Sequence, residues 1–424
     1  MIAEKSQTFQ KLLDAISPSA NKVNFISNKE LSEGLQYLET KGIPTHKHED
    51  YKYCNIDAIL KKEFKNIEQK FNELKSAQQF KLNEAINLVV LNGNYSEVLS
   101  DKIIVKGVTI KSLNDFSGDE NSLVSSLAKS NTDAFIALNN VFSGNGIFVQ
   151  IEKGNEIPMP IHIIYVNSSS SEAIVNSRSF IQVQANAEVT ICERFVNTGD
   201  GKVFSNFLGE KLVEENAKLT AFTIQEEGSL NYSVNTNQVQ VKQYATYNNT
   251  TITLSGQLVR NNHNVELVQD NCHAHLNGLF MTSKTQLVDN HTLMDHQMPN
   301  CESNELYKGV INDKSTGIFN GKIYVRKDAQ KTNAYQSSKN ILLSDDGTIN
   351  TKPQLEIFAD DVKCSHGTST GKIDENALFY LKARGIGEES ARKLLLNAFA
   401  QEVINKIEIE SLKDYIETEL EKLF

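Results

Sequence analysis

The chain has 424 residues, of which 39% are hydrophobic and 23% are charged. This composition excludes a disordered or collagen-like chain, and the length suits two or three domains or one elongated repeat fold. A formal net charge of −10 disfavours nucleic acid as a partner, and no apolar run approaches the roughly 20 residues of a membrane helix, so we expect a cytoplasmic protein that contacts no membrane.

Helical spacing of apolar residues is typical of the N-terminal segment, residues 1–80. Such spacing recurs in three stretches, residues 9–16, 31–38 and 61–80, and predicts three helices. Residues 44–53 (PTHKHEDYKY) lie between the second and third stretches and form an irregular, polar and aromatic segment. The sequence therefore predicts an N-terminal helical region.

The apolar period changes to two from about Leu88 onward. Residues 181–191 alternate most clearly, which predicts a strand with one buried face. No helical pattern is visible before about residue 370, so we expect residues 81–358 to form strands and turns in an architecture that hides sheet edges. The abundance of asparagine and β-branched residues favours an irregular β-helix, with a sandwich or a propeller as alternatives. No fixed repeat length is visible in the sequence.

A helical period returns in the C-terminal segment, residues 359–424, after an initial strand. Asp374 is the predicted N-cap of a short helix that Gly385 ends. Apolar stripes predict two more helices over residues 391–404 and 412–423. These helices are either a cap on the β body or a docking module for a partner.

Several familiar chemistries have no support in the sequence. Each Gly-Lys pair is followed by valine or isoleucine, so the chain has no phosphate loop and we expect no ATP site. Residues 345–347 (DDG) predict a hairpin turn and Asp360-Asp361 a solvated strand entry, which leaves no convincing glycosidase pair. Residues 385–387 (GIG) imitate a DNA-binding turn, but Glu388 and Glu389 would repel a phosphate.

Cys364 and His366 are the strongest candidates for metal ligands. Their i, i+2 spacing on a strand directs both side chains to the same side. Iron–sulfur clusters and tetrahedral zinc require about four ligands, so this pair is half a site. A second chain or inorganic ligands would have to complete it.

A second possible cluster combines Cys272, His273 and His275 with His291 and His296 downstream. Histidines on a polar strand face are more often structural or solvated than metal-bound, so metal binding is the weaker interpretation here. Five scattered cysteines do not suggest a disulfide framework. We expect small buried apolar roles for the three remaining cysteines, Cys54, Cys192 and Cys301.

Six segments of the C-terminal half resemble the SufB/SufD family of the SUF iron–sulfur cluster assembly system. These segments are residues 304–310, 319–322, 328–336, 342–346, 351–357 and 361–367. Residues 44–53 resemble a conserved N-terminal segment of that family, with Tyr51 where tryptophan is common. Residues 363–367 (KCSHG), and Leu381 where SufB-type sequences usually carry cysteine, resemble the shorter SufD branch.

The resemblance implies a mainly β fold, a right-handed parallel β-helix core flanked by N-terminal and C-terminal helical regions. It implies a complex with one SufB and two copies of the SufC ATPase, with SufC docking on residues 359–424 and the two β-helices pairing at their C-terminal edges. His366 and Cys364 would lie at the SufB interface, where a transient iron–sulfur cluster forms with a SufB cysteine. The chain would be a non-enzymatic scaffold.

Two other functions remain open at this point. The chain could be a purely architectural subunit of the same complex that binds no iron, or a β-helix polysaccharide-active protein. A strand edge shaped for SufB can also pair with a second copy, so the sequence leaves open whether the isolated chain is a homodimer.

Overall fold

The computed structural model describes residues 25–61, 64–66, 77–116, 122–143 and 145–423. Within these residues, no helix is both long and apolar enough to cross a membrane. The described helices are α1 Asn28–Thr40, α2 Ile56–Leu60, α3 Ala134–Phe142, α4 Glu375–Ala383, α5 Glu388–Ile404 and α6 Glu410–Leu423. The described strands are β1 Lys65–Asn66, β2 Ile86–Leu91, β3 Asn94–Ser96, β4 Val108–Ser112, β5 Ile147–Ile151, β6 Ile161–Asn167, β7 Ala173–Val183, β8 Glu188–Asn197, β9 Val203–Val213, β10 Lys218–Glu226, β11 Tyr232–Val241, β12 Thr246–Ser255, β13 Leu258–Leu267, β14 His273–Thr282, β15 Leu287–His296, β16 Glu302–Ile311, β17 Thr316–Val325, β18 Asn333–Leu342, β19 Thr348–Thr351, β20 Gln354–Ile357 and β21 Lys363–Gly371.

Successive strands alternate between two sheets, so that each coil of the chain adds one strand to each sheet. Sheet A has the order β19-β17-β15-β13-β11-β9-β7-β5-β4, with β1 on β7 and β20 on β17. Sheet B has the order β21-β18-β16-β14-β12-β10-β8-β6-β2-β3. Neighbouring strands are parallel except for the pairs β2–β3 and β4–β5. This arrangement is a parallel β-helix of about 8 coils, which confirms the predicted fold class.

The coils differ in length, although their strands stay in register. A coil spans 26 residues from Ser233 to its partner Val259, but 32 residues from Gly317 to Ile349. Insertions lie in the corners between strands, where they leave the ladders intact. A fold with repeating geometry therefore has no fixed period in its sequence.

Inward-facing side chains of successive coils stack on one another along the lumen of the β-helix. Because parallel strands pair in register, equivalent positions form columns. One column is aliphatic except for a single histidine, and consists of Val183, Val213, Val241, Leu267, His296 and Val325. All six side chains are buried, so the stacking of such columns forms the main apolar core.

The strand predicted over residues 181–191 is wrong, because these residues end β7 and begin β8. The chain turns between them at Asn186, whose φ is +59°. Val183 and Ala187 flank the turn and are both buried in the lumen core. The alternation of apolar and polar residues continues through the corner because both ends of the turn face the same interior.

The expectation of strands and turns alone over residues 81–358 is also wrong, because α3 lies within them. Its residues 134–140 are all buried, so the helix has no polar face to give a helical period. Asp133 caps it by accepting hydrogen bonds from the backbone N–H groups of Phe135 (2.7 Å) and Ile136 (3.2 Å).

The hairpin turn predicted at residues 345–347 is wrong. These residues form no hairpin, because they connect β18 of sheet B to β19 of sheet A.

The N-terminal predictions have mixed outcomes. Helix α1 confirms the helix predicted over residues 31–38, whereas the helix predicted over residues 9–16 lies outside the described residues. The third predicted helix is wrong where it is described, because Lys65–Asn66 forms β1 and pairs with β7. Phe64 is buried near Phe204, with ring centroids 6.1 Å apart, so this segment packs on the β-helix instead of forming its own helix.

The C-terminal helices agree with the sequence prediction. The Asp374 side chain accepts hydrogen bonds from the N–H groups of Asn376 (2.9 Å) and Ala377 (3.3 Å) and so caps α4. Gly385 follows the helix with φ +88°, a conformation that favours glycine. The apolar sides of α5 and α6 pack on the outer face of sheet B in one core cluster. The helices contribute Leu396, Val403, Leu412 and Ile416, and the sheet contributes Phe222, Ile252 and Leu279.

Candidate functional site

Cys364 and His366 lie on β21, the last strand of sheet B. In the register of β18 and β21, Cys364 pairs with Ala334 and His366 pairs with Gln336. Ala334 and Gln336 are buried on the lumen side of their strand, so Cys364 and His366 occupy the continuation of that side at the end of the sheet. The predicted shared side is therefore present on the strand that ends sheet B among the described residues.

The two side chains differ in accessibility. Cys364 is half-buried and packs against the lumen core, whereas His366 is exposed. Burial raises the pKa of the Cys364 thiol above its ordinary value, an effect that the backbone of Ala334 partly offsets. A thiol with a raised pKa is mostly protonated at neutral pH and is a poor metal ligand until a cation or a partner favours the thiolate.

Alkylation of Cys364 is therefore expected to be slow at pH 7 and to accelerate as the pH rises, because only the thiolate reacts. Iodoacetamide labelling of the native chain, followed by peptide mass spectrometry across a pH series, measures this rate. Cys54, Cys192, Cys272 and Cys301 are buried and provide internal controls that should react later. A rate at pH 7 above that of free cysteine would contradict the raised pKa.

A buried polar pair that no sequence motif indicated lies behind His366 in the lumen. Gln336 is next to His366 in register and Glu305 is next to Gln336. The side-chain amide of Gln336 is buried beside the Glu305 carboxylate, and a hydrogen bond from this amide opposes the effect of burial on the Glu305 pKa. Thr292 Oγ1 donates a hydrogen bond to Glu305 (2.5 Å), and burial raises the pKa of Glu305 to about 7. The only sequence signal was polar residues at inward positions of a column that begins with Ile161, Ile191 and Ala221.

The outer face of sheet B gives access to the same strand. A groove of about 930 Å³ lies between this face and the chain that follows α5, and it ends at residues 365–367. Outward-facing His275 and Tyr335 line its floor, and Lys406 and Glu408 line its opposite wall. His366 also borders the groove, so it is accessible beside the outer face as well as from the end of the β-helix.

The structure does not bring the second predicted cluster together. Cys272 and His296 are buried in the lumen, where His296 hydrogen-bonds with Ser303 (2.9 Å). His273 lies outside, with Nδ1 3.5 Å from a carboxylate oxygen of Glu302, and His275 accepts a hydrogen bond from Asn304 (3.3 Å). His291 is on sheet A, 2.9 Å from Asp289. Within the described ranges, no three His, Cys, Asp or Glu residues are arranged to hold a metal ion.

Cys301 has a more polar environment than the sequence predicted. Its sulfur and that of Cys272 lie 3.2 and 3.0 Å from the same carbonyl oxygen, that of Gln269. A hydrogen bond from Cys272, with a smaller contribution from His296, lowers the pKa of Cys301, whereas the pKa of Cys272 is raised. Both thiols are buried, so this pair is a feature of the lumen and not part of the exposed site.

The C-terminal helices present a second exposed feature. Three large apolar side chains point to solvent on α4 and α5, with Phe379 73%, Tyr380 57% and Leu394 49% exposed. The opposite side of α5 is held to sheet B, where Lys308 Nζ donates to the Phe399 carbonyl (2.8 Å) and pairs with Glu402 (2.5 Å). The helices are therefore anchored on one side and leave apolar area uncovered on the other.

Comparisons with known proteins identify a family to which the chain is similar. A family model described as "SUF system FeS cluster assembly, SufBD core domain" matches residues 165–399, and "SufBD protein N-terminal region" matches residues 5–163. The chain is 29% identical over 385 residues to "Iron-sulfur cluster assembly protein SufD" of Escherichia coli, covering 90% of this chain and 89% of that protein.

Two further relatives match over nearly the whole chain. "Iron-sulfur cluster assembly SufBD family protein slr0076" of Synechocystis is 26% identical over 425 residues, covering 97% of this chain and 94% of that protein. "Protein ABCI7, chloroplastic" of Arabidopsis thaliana is 26% identical over 424 residues, covering 96% and 88% of the two chains. The similarity therefore includes the helical ends as well as the β-helix.

Proposed function

The chain belongs to the SufBD family of iron–sulfur cluster assembly proteins and is of the SufD type, and on this premise we propose that it is a non-enzymatic scaffold subunit of a cytoplasmic SUF complex. It pairs with SufB, binds the SufC ATPase, and supplies His366, together with Cys364, to a transient iron or iron–sulfur cluster at the SufB interface. The iron and sulfide are cargo, and the chain itself has no ATP site.

The observation that carries this proposal is the position of Cys364 and His366 on β21, whose outer edge is not paired with any strand in the part of the chain that the structure describes. The N–H and C=O groups along the free edge of β21 can pair with a strand of another chain. Cys364 and His366 lie on that strand and supply two of the about four ligands that a cluster needs. A partner that extends the sheet would therefore bring the missing ligands to the same place.

The proposed role of the C-terminal helices is to bind SufC. Phe379, Tyr380 and Leu394 are large apolar side chains that stay exposed on α4 and α5, and exposed apolar residues of this kind often lie at protein–protein contacts. Nucleotide hydrolysis on SufC can change the SufB interface only if SufC binds two conformations of the complex with different affinities. The anchoring of α5 on sheet B connects such a change to the strands beside β21.

Co-expression with SufB and SufC, followed by anaerobic purification, tests the proposal. We expect a complex that contains all three proteins together with iron and acid-labile sulfide. A stable complex without iron or sulfide would favour the purely architectural role, and failure of SufB to co-purify would contradict the pairing itself.

Replacement of Phe379 by Asp is expected to release SufC while the pairing with SufB persists. A charge at the centre of an apolar contact must be desolvated on binding, and loss of a central aromatic typically costs about 2 kcal/mol or more of binding free energy, or about 30-fold in affinity. Pull-down of the tagged chain with each partner measures both interactions. Glu389→Lys, on the exposed first turn of α5, controls for a general charge effect. Unchanged SufC binding by the Phe379 variant would place the docking surface elsewhere.

A further inference from the structure

Two cysteines that the proposed function does not use lie side by side at one corner of the lumen. Cys272 directly precedes β14, and Cys301 directly precedes β16, the neighbouring strand of sheet B. The Glu302 N–H group donates to the Cys272 carbonyl (2.9 Å), so the parallel ladder already includes both cysteines. Neighbouring strands lie about 4.8 Å apart, and a disulfide needs a Cα separation of about 4.4 to 6.8 Å. The two backbones are therefore at a spacing that a disulfide can bridge.

The two sulfur atoms also converge. Sγ of Cys272 and Sγ of Cys301 lie 3.0 and 3.2 Å from one atom, the Gln269 carbonyl oxygen. The two thiols hydrogen-bond to each other, and this bond is the largest influence on the pKa of each. Gln269 is an exposed corner residue, so the sulfurs lie directly beneath the surface. A solute as small as hydrogen peroxide has only this corner to cross.

Packing at this corner does not require sulfur. On the three preceding coils the equivalent position in the ladder is alanine, at Ala187, Ala217 and Ala245. These alanines are buried, as Cys272 and Cys301 are. Alanine therefore fills the corner, and it is a conservative replacement for either cysteine.

Cys301 differs in reactivity from other buried thiols of the chain. The hydrogen bond from Cys272, with a smaller contribution from His296, lowers its pKa, whereas burial raises the pKa of Cys54 and Cys192. Peroxides oxidise the thiolate form of cysteine. Among the buried cysteines of the described residues, Cys301 is therefore the expected nucleophile. Cys272 is the sulfur positioned to react with its oxidised form.

We propose that Cys272 and Cys301 are a redox-active pair that hydrogen peroxide oxidises to a disulfide. The Cys301 thiolate attacks one peroxide oxygen, the O–O bond breaks, and hydroxide leaves and takes up a proton to become water. Sγ of Cys272 then attacks Sγ of the Cys301 sulfenic acid, the S–O bond breaks, and the hydroxyl group leaves as water with the Cys272 proton. Each sulfur loses one electron, and the peroxide is reduced to two waters. The new bond joins two adjacent coils, and a thiol reductant reverses it.

Oxidation of the isolated full chain tests this pair and requires neither SufB nor a cluster. The reduced chain is treated with hydrogen peroxide at pH 7, quenched with catalase, and unfolded with N-ethylmaleimide, which caps every remaining thiol. Peptide mass spectrometry without reductant should then show Cys272 linked to Cys301, and dithiothreitol should remove the link. Cys54 and Cys192 are buried thiols with raised pKa values, so they are internal controls and should be recovered capped.

Single alanine variants separate the two steps. In Cys272→Ala the resolving sulfur is absent, so Cys301 should stop at the sulfenic acid, which dimedone labels. In Cys301→Ala the nucleophile is absent, and Cys272 should be recovered as a capped thiol. The wild-type result decides the matter by itself if a variant does not fold. Recovery of both cysteines as capped thiols from the wild type, or oxidation of Cys54 and Cys192 at the same rate as this pair, would overturn the proposal.

Discussion

Replacement of His366 by Ala is expected to remove most of the iron and sulfide from the complex purified anaerobically with SufB and SufC. The loss of even a residue that supports a ligand typically lowers metal affinity about 10- to 100-fold, so the loss of a ligand should cost at least as much. His366 is exposed on an edge strand, so its truncation should leave folding and complex assembly intact. Iron and sulfide analysis, with the Tm and the subunit ratio, measures all three effects.

His273→Ala is the matched control for this experiment. Its side chain is 40% exposed on the outer face of the same sheet and lies beside a carboxylate, but it is far from the edge strand in the sheet order. Cys364→Ala tests the second proposed ligand by the same assay. If His366→Ala retains the iron and sulfide of the wild type, His366 has no role in cluster formation and the architectural role becomes the better explanation.

Truncation of Glu210 to Ala is expected to cause the largest loss of stability of any single substitution considered for this protein. Glu210 and Arg178 form an ion pair (2.5 Å) in which both side chains are fully buried. The carboxylate also accepts hydrogen bonds from the backbone N–H groups of Ser125 (2.8 Å), Leu127 (2.9 Å) and Ala128 (3.1 Å). One side chain thus holds the segment before α3 against sheet A.

The expected cost follows from what the truncation would leave behind. Removal of one partner of a buried ion pair leaves an uncompensated charge and costs about 3 to 5 kcal/mol, and three backbone donors would also lose their acceptor. Urea unfolding followed by circular dichroism measures the loss. Glu188→Ala is the control, because Glu188 and Lys218 form an equally short pair (2.6 Å) with both side chains over 40% exposed, and should cost less than about 1 kcal/mol. A similar small loss for Glu210→Ala would show that the segment is held by packing alone.

Local signals predicted the C-terminal helices well because their determinants are local. The Asp374 cap and the positive φ at Gly385 depend on chemistry within a few residues of each helix end. The strands were predicted less accurately, as residues 181–191 show, because an inward-facing corner residue such as Ala187 continues the pattern of the strand before it. Helix α3 has no recognisable helical period in its sequence, because elements distant in sequence bury it on every side.

Some features of the candidate site also follow from local spacing, whereas others depend on the tertiary fold. The i, i+2 spacing of Cys364 and His366 is enough to place them on one side of a strand, and family resemblance added the expectation of a partner. The register of coils about 30 residues apart makes this strand the last of its sheet and places Gln336 and Glu305 behind it. The dispersal of Cys272, His273 and His296 to the lumen and the outer face depends on that register as well.

The sequence by itself determined the mainly β character of the chain, the three C-terminal helices, the spacing that places Cys364 and His366 on one side of a strand, and the family to which the chain is similar. Only the tertiary structure decided where coils begin and end and which polar residues are enclosed, such as Gln336 and Glu305 behind the last strand of sheet B. The physical reason is that spacing along a chain fixes the side of a strand on which a residue lies. Burial and charge compensation are fixed by neighbouring coils, whose distance in sequence varies from coil to coil.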